Sequence, residues 1–140
     1  MAQTTTTIED KMIALMKLLG IFKAVDSTGR ENPLPPKTYP VANIYFDGDR
    51  DVSSRDNPRP VPDYFYVVQL TYKNLRGEKS AANNIYEGMD AVINLFNGST
   101  MDLEGIQPMR YQERALVAYE AGVITYAIRF RVPVILPPVR

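Results

Sequence analysis

The stretch DYFYVVQLTYKN, Asp63 to Asn74, constrains the fold of this chain more than any other. Tyr64, Tyr66, Val68, Leu70 and Tyr72 fall on one side of an extended backbone, and Phe65, Val67, Gln69, Thr71 and Lys73 on the other. A period of two with aromatic and β-branched residues belongs to a strand. The first side carries only aromatic and aliphatic residues, so it has to be buried against a second layer. The closing segment GVITYAIRFRVPV repeats the pattern, with Ile124, Tyr126, Ile128, Phe130 and Val132 on one face and Thr125, Ala127, Arg129 and Arg131 on the other.

Two segments of helical period can supply that layer. After MAQTTT, which reads as a solvated arm (residues 1–6), Thr7 is a plausible N-cap, and Glu9 and Asp10 suit the positive end of a helix. Ile8, Met12, Leu15, Leu19 and Phe22 then recur at helical spacing, with Ile13, Met16 and Leu18 widening the stripe. Gly20 ends this helix, and IFKAVDS (Ile21 to Ser27) alternates as a short strand. A second helix is predicted from Glu78 to Phe96, along the stripe Ala82, Ile85, Met89, Val92 and Phe96, with Asn97-Gly98 as its stop.

The proline-rich segment Thr28 to Pro40 reads as a loop, and VANIYF (Val41 to Phe46) as a strand. A long charged loop is predicted from Asp47 to Asp63. IQPMRY and ERALVAYEAG read as two weaker strands, and Glu120 to Gly122 as a hairpin turn before the last one. The order is helix, two short strands, a long strand, helix, then a hairpin. It predicts an α+β fold: two helices packed on a mostly antiparallel sheet of four to five strands, in a two-layer sandwich. At 140 residues the chain forms one domain, with residues 135–140 as a tail.

Composition bears mainly on function. The chain has no cysteine and no histidine. That removes disulfides, thiolate sites, the commonest general base and the commonest metal ligand. Sixteen basic residues balance sixteen acidic ones, so no global field draws the chain to nucleic acid or to an anionic membrane. The apolar run MIALMKLLGIF is too short to span a bilayer and contains Lys17, and the acidic Glu9 and Asp10 precede it, unlike a signal peptide. The expectation is a soluble, unexported protein.

Asp47, Asp49 and Asp51 alternate like the first ligands of a calcium loop. Such a loop needs Gly at its sixth position and Glu at its twelfth, where this chain has Val52 and Pro58. Arg50 and Arg55 would also repel a cation. Other metal geometries on these three aspartates stay open, but a solvated loop is the expected reading, with no metal and no cofactor. Asp90, Asp102 and Glu104 could be paired for acid–base chemistry, but no spacing forces them together. NGST (Asn97 to Thr100) lacks the lysine and the flanking glycine of a phosphate loop.

Three features point to contacts with other chains. Arg50, Arg55 and Arg59 suit bidentate binding of carboxylates, unless their loop is simply disordered. Arg129 and Arg131 face away from the apolar side of the last strand, as an interface or as a solvated face. Ile135, Leu136 and Val139 of ILPPVR can dock on a neighbour or on their own sheet. Tyrosine, present nine times, suits surfaces that are apolar on one side and wet on the other.

The opening helix IEDKMIALMKLL, the strand YPVANIYF, the segment YFYVVQLTYKNLRGEKSAANNIYEGMDAVINLF and the closing GVITYAIRFRVPV together resemble tail terminator proteins of long-tailed phages, in particular those of Mu-like prophages and the lambda type. The resemblance covers most of the chain and is one of pattern, without a short invariant motif. It implies a non-enzymatic virion protein, assembled in the host cytoplasm. Such a protein forms a six-membered ring that caps the tail tube and offers a surface for head joining. The partners it implies are further copies of the chain, the tail tube protein and a head-completion or connector protein, with no nucleic-acid specificity and no membrane. Two other readings remain beside it: another tail or head-completion subunit, and a small enzyme using carboxylates or lysine.

Overall fold

The computed structural model describes residues 5–27, 40–51, 62–73, 79–120 and 122–134. Along the chain run α1 (Thr5–Leu19), β1 (Ala24–Ser27), β2 (Val41–Asp51), β3 (Pro62–Lys73), α2 (Lys79–Phe96), β4 (Arg110–Glu120) and β5 (Val123–Pro133). The strands form one sheet in the order β1-β2-β3-β5-β4. Every pairing is antiparallel except that of β1 with β2. The chain is therefore an α+β fold with two helices and a five-stranded, mostly antiparallel sheet.

The core lies between the helices and the face of β3 that alternation marks as apolar. Tyr66, Val68 and Leu70 point into it beside Ala42 and Ile44 of β2 and Ile128, Phe130 and Val132 of β5. From α1, Ile8, Met12 and Met16 meet this face at a spacing of four, one side of a helix. Ile85, Met89, Val92 and Phe96 do the same from α2. The Phe96 and Phe130 rings meet edge-on, with centroids 5.4 Å apart. Tyr66 is fully buried, and its hydroxyl donates to the Thr5 carbonyl at 2.9 Å, which fastens the start of α1 to the central strand. Burial raises the pKa of Tyr66 far above the usual phenol value, so it holds this proton at all ordinary pH.

The Tyr72 side chain of β3 reaches up to α2. A Cβ on Gly88 would collide with the Tyr72 hydroxyl, so glycine here permits the approach. Burial pushes the pKa of Tyr72 up to about 12. Beyond α2 the chain is tied down by backbone bonds from Gly98 N–H to the Met109 carbonyl and from Met109 N–H to the Ser99 carbonyl. Met101 and Asp102 take left-handed backbone angles in the turn between them.

Several boundaries differ from those predicted, and the strand expected from Ile21 begins only at Ala24. Helix α1 begins at Thr5, two residues before the expected cap, so the predicted arm of residues 1–6 loses its last two. The loop expected from Asp47 to Asp63 is strand at both ends, because β2 runs on to Asp51 and β3 starts at Pro62. Here Phe46 pairs with Tyr66 and Asp49 with Tyr64, which leaves Asp47 and Gly48 opposite Phe65 alone. This β-bulge, with Gly48 at φ 102°, breaks the alternation in sequence without ending the ladder. The two weak strands after α2 are one strand, β4, with register shifts at Tyr111/Glu113 and Leu116/Ala118, while Ile106 makes only an isolated bridge to Val134. Those shifts hide its period of two.

Phe96→Ala should lower unfolding stability by about 3–5 kcal/mol, whereas Leu18→Ala, at an exposed position, should change it by less than about 0.5 kcal/mol. Urea denaturation of both variants checks this; equal losses would contradict the placement of the core.

Candidate functional site

The sheet face turned away from the helices carries a cluster of charged side chains. Its centre is Phe65 on β3, which is buried although among the described residues no helix covers it. Arginine side chains cover it instead. The Arg129 guanidinium of β5 lies 4.1 Å from the Phe65 ring centroid, and that of Arg50 on β2 lies 5.7 Å away. Two steps along β3, Asp63 has a side chain only 6% exposed. Its Oδ2 stands 3.8 Å from Arg50 Nη2 and 3.8 Å from Arg131 Nη1. Asp47, beside the bulge, reaches Arg129 Nε at 3.5 Å.

Register explains this assembly. Asp63 pairs across with Arg50 on one side and Pro133 on the other, and Phe65 pairs with Arg131. Residues two apart on a strand share a face, so Arg129 and Arg131 flank Phe65 and Asp63 diagonally. A buried carboxylate needs compensation, and two guanidinium groups supply it. The Nε atoms of Arg129 and Arg131 are buried and make no hydrogen bond, so at these atoms charge attraction, and for Arg129 the Phe65 ring, stand in for a directed bond.

Of the residues singled out in the sequence, Arg50, Arg129 and Arg131 are thus brought together. Arg55, Arg59, Ile135, Leu136 and Val139 lie outside the described residues. Asp63, Phe65 and Asp47 were not foreseen as part of the cluster. The signal for Phe65 was available, since it is the one aromatic residue on the polar side of its strand.

The helix side offers a groove of about 380 Å³ lined by Ile21, Pro40, Tyr72, Glu87, Gly88 and Ala91. Its ionisable groups are one carboxylate and one phenol, which do not make an acid–base pair of carboxylates. Asp90, considered for such a pair, accepts a 2.8 Å hydrogen bond from Arg114 Nη1, while Asp102 sits in the left-handed turn after α2. Among the described residues no group of three or more acids could hold a metal ion, and no helix is long and apolar enough to cross a membrane. What the described surface presents is shape, apolar side chains and paired charge.

No protein-family model matches the chain, and no curated protein matches it. Among solved structures, a chain of the virion of a native gene transfer agent particle has the same fold, with a TM-score of 0.55 at 14% identity over 86% of this chain and 83% of that one. A second solved chain, which carries no descriptive name, gives a TM-score of 0.54 at 15% identity over 96% of this chain and 94% of its own. At such identities the likeness is one of fold.

Asp63→Ala should cost about 1–2 kcal/mol, less than a fully buried pair would because its arginine partners are partly exposed. Asp47→Ala, which breaks an exposed pair, should cost less than about 0.5 kcal/mol. Chemical denaturation of the two variants side by side reads this order, and the reverse order would remove Asp63 from the centre of the cluster.

Proposed function

We propose that this chain is a structural subunit of a phage-like virion and, within it, a tail terminator: copies form a ring that caps the tail tube and presents the surface for head joining. The observation that carries the proposal is the fold it has in common, over most of its length, with a chain of the gene transfer agent virion particle. The resemblance of its opening helix and its long strands to tail terminators narrows the role within the virion. The described surface agrees with that role. Several of its charged groups pair with one another, across the outer sheet face and between β4 and α2.

Capping makes two demands on a subunit. It must contact its own copies through two different patches, because a closed ring is built from heterologous contacts. It must also present unlike surfaces to tube and head. A sandwich of helices on one side and a charged sheet face on the other meets the second demand without extra elements. The role involves fitted surfaces, with no bond made or broken. Expected partners are the tail tube protein below and a head-completion or connector protein above.

Adding the purified protein to polymerising tube subunits should stop elongation and leave rings at tube ends, seen by electron microscopy. Tube growth to unlimited length in its presence would overturn the capping role. Filaments formed by the protein alone would make it a tube subunit instead.

A further inference from the structure

The large apolar side chains that stand exposed among the described residues are Leu18, Ile21, Tyr86, Leu116, Val117 and Tyr119. They are not scattered. Leu116, Val117 and Tyr119 lie on β4, one edge of the sheet, and Tyr86 faces them from α2, where it hydrogen-bonds Tyr126, the cross-strand neighbour of Leu116. Leu18, 81% exposed, and Ile21 lie where α1 hands over to β1, the opposite edge. Helix α1 lies over β1 and β2. Glu9 sits on its β3 side, where its charge acts on Tyr66. Leu18 follows nine residues later, about two and a half turns on, so it faces the other way, toward the β1 edge.

The two patches also match in height and layer. Across the sheet Ala24 pairs with Val41, Val41 with Thr71, Thr71 with Thr125, and Thr125 with Ala118. The corner just before Ala24 is therefore level with the part of β4 that carries the exposed residues. Leu116 and Tyr119 pair with Tyr126 and Ile124, core-facing residues of β5, so they point to the helix side, as Leu18 does. Strand direction is compatible as well. Because β1 and β2 are parallel and the other three pairings are antiparallel, β1 and β4 run in opposite directions. Two copies placed side by side in the same orientation would bring β4 against β1 as an antiparallel neighbour.

We infer that the β4 edge, through Leu116, Val117 and Tyr119, docks on the Leu18–Ile21 corner of a second copy of this chain. This deepens the ring reading, on which it rests only for the closure of the contact. Each subunit offers one patch to each neighbour, so the contact is heterologous. An exposed strand of eleven residues with apolar side chains is otherwise a site for unregulated pairing. Docking against a second copy gives its outward backbone groups, unpaired among the described residues, and its side chains one defined partner.

The chain has no cysteine, which makes the test direct. Leu18→Cys and Val117→Cys are prepared singly and combined in one chain, with folding checked by circular dichroism. They are treated with a short bis-maleimide across concentrations up to the solubility limit. Mixed single variants should cross-link into Leu18–Val117 dimers, each single variant alone should not, and the double variant should give a ladder ending in a closed ring. Leu18→Glu or Leu116→Glu should each weaken self-association roughly tenfold or more. Cross-linking of Val117→Cys with itself would mean a two-fold contact and overturn the proposal. So would an uncross-linked monomer throughout, both alone and on tube ends. If capping of tubes persists while these cross-links fail, the interface is wrong and the terminator role stands; if cross-links form while tubes grow on, the reverse holds.

Discussion

Everything in this structure depends on the burial of both faces of one strand, β3. Its inner face is sealed by two helices and contributes Tyr66, Val68 and Leu70 to the core. Among the described residues no second layer seals its outer face, yet Phe65 and Val67 are buried there too. A two-layer sandwich normally leaves such a face to water. Here the aliphatic stems and flat guanidinium groups of Arg129 and Arg50 close over Phe65, and Asp63 holds Arg50 and Arg131 beside it. Arginine suits this because its charged group is planar and weakly hydrated, so it can stack on a ring and still face solvent. The gain per ion pair is small, since the arginines are partly exposed. What the arrangement secures is a fixed shape for a face that would otherwise be mobile side chains.

Legibility in the sequence followed how many neighbours each element has. Strands β3 and β5 are central, flanked on both sides and covered on one face, and their period of two was plain. Both helices were plain for the same reason, since each has one buried stripe and one wet side. The bulge at Asp47–Gly48 was not legible, because an extra residue shifts the alternation by one and looks like the end of a strand. Strand β4 was harder still. Most of its residues are exposed on both faces, so burial imposed no period, and its two register shifts removed what remained. The site divides in the same way. Arg50, Arg129 and Arg131 stood out as charges in or beside apolar strands, but their meeting at Asp63 depends on pairing partners far apart in sequence.

The two edges of the sheet complete the picture, and they are unequal. Strand β1 is four residues long and parallel to its neighbour, a short edge of the kind that resists indiscriminate pairing. Strand β4 is long and carries exposed aliphatic and aromatic side chains, which a monomer would have reason to avoid. Yet β4 is not a smooth template: its irregularities at Tyr111/Glu113 and Leu116/Ala118 interrupt the regular spacing that a random strand would need. An edge that is apolar but irregular rejects most strands and accepts a surface shaped to it. In the proposed capping role such a surface would keep subunits apart in dilute solution and join them at a tube end, where linked contacts act at an effective concentration far above the bulk value. The proposed role, assembly at one place and no further, would draw on this combination of apolar edge, interrupted ladder and paired charge.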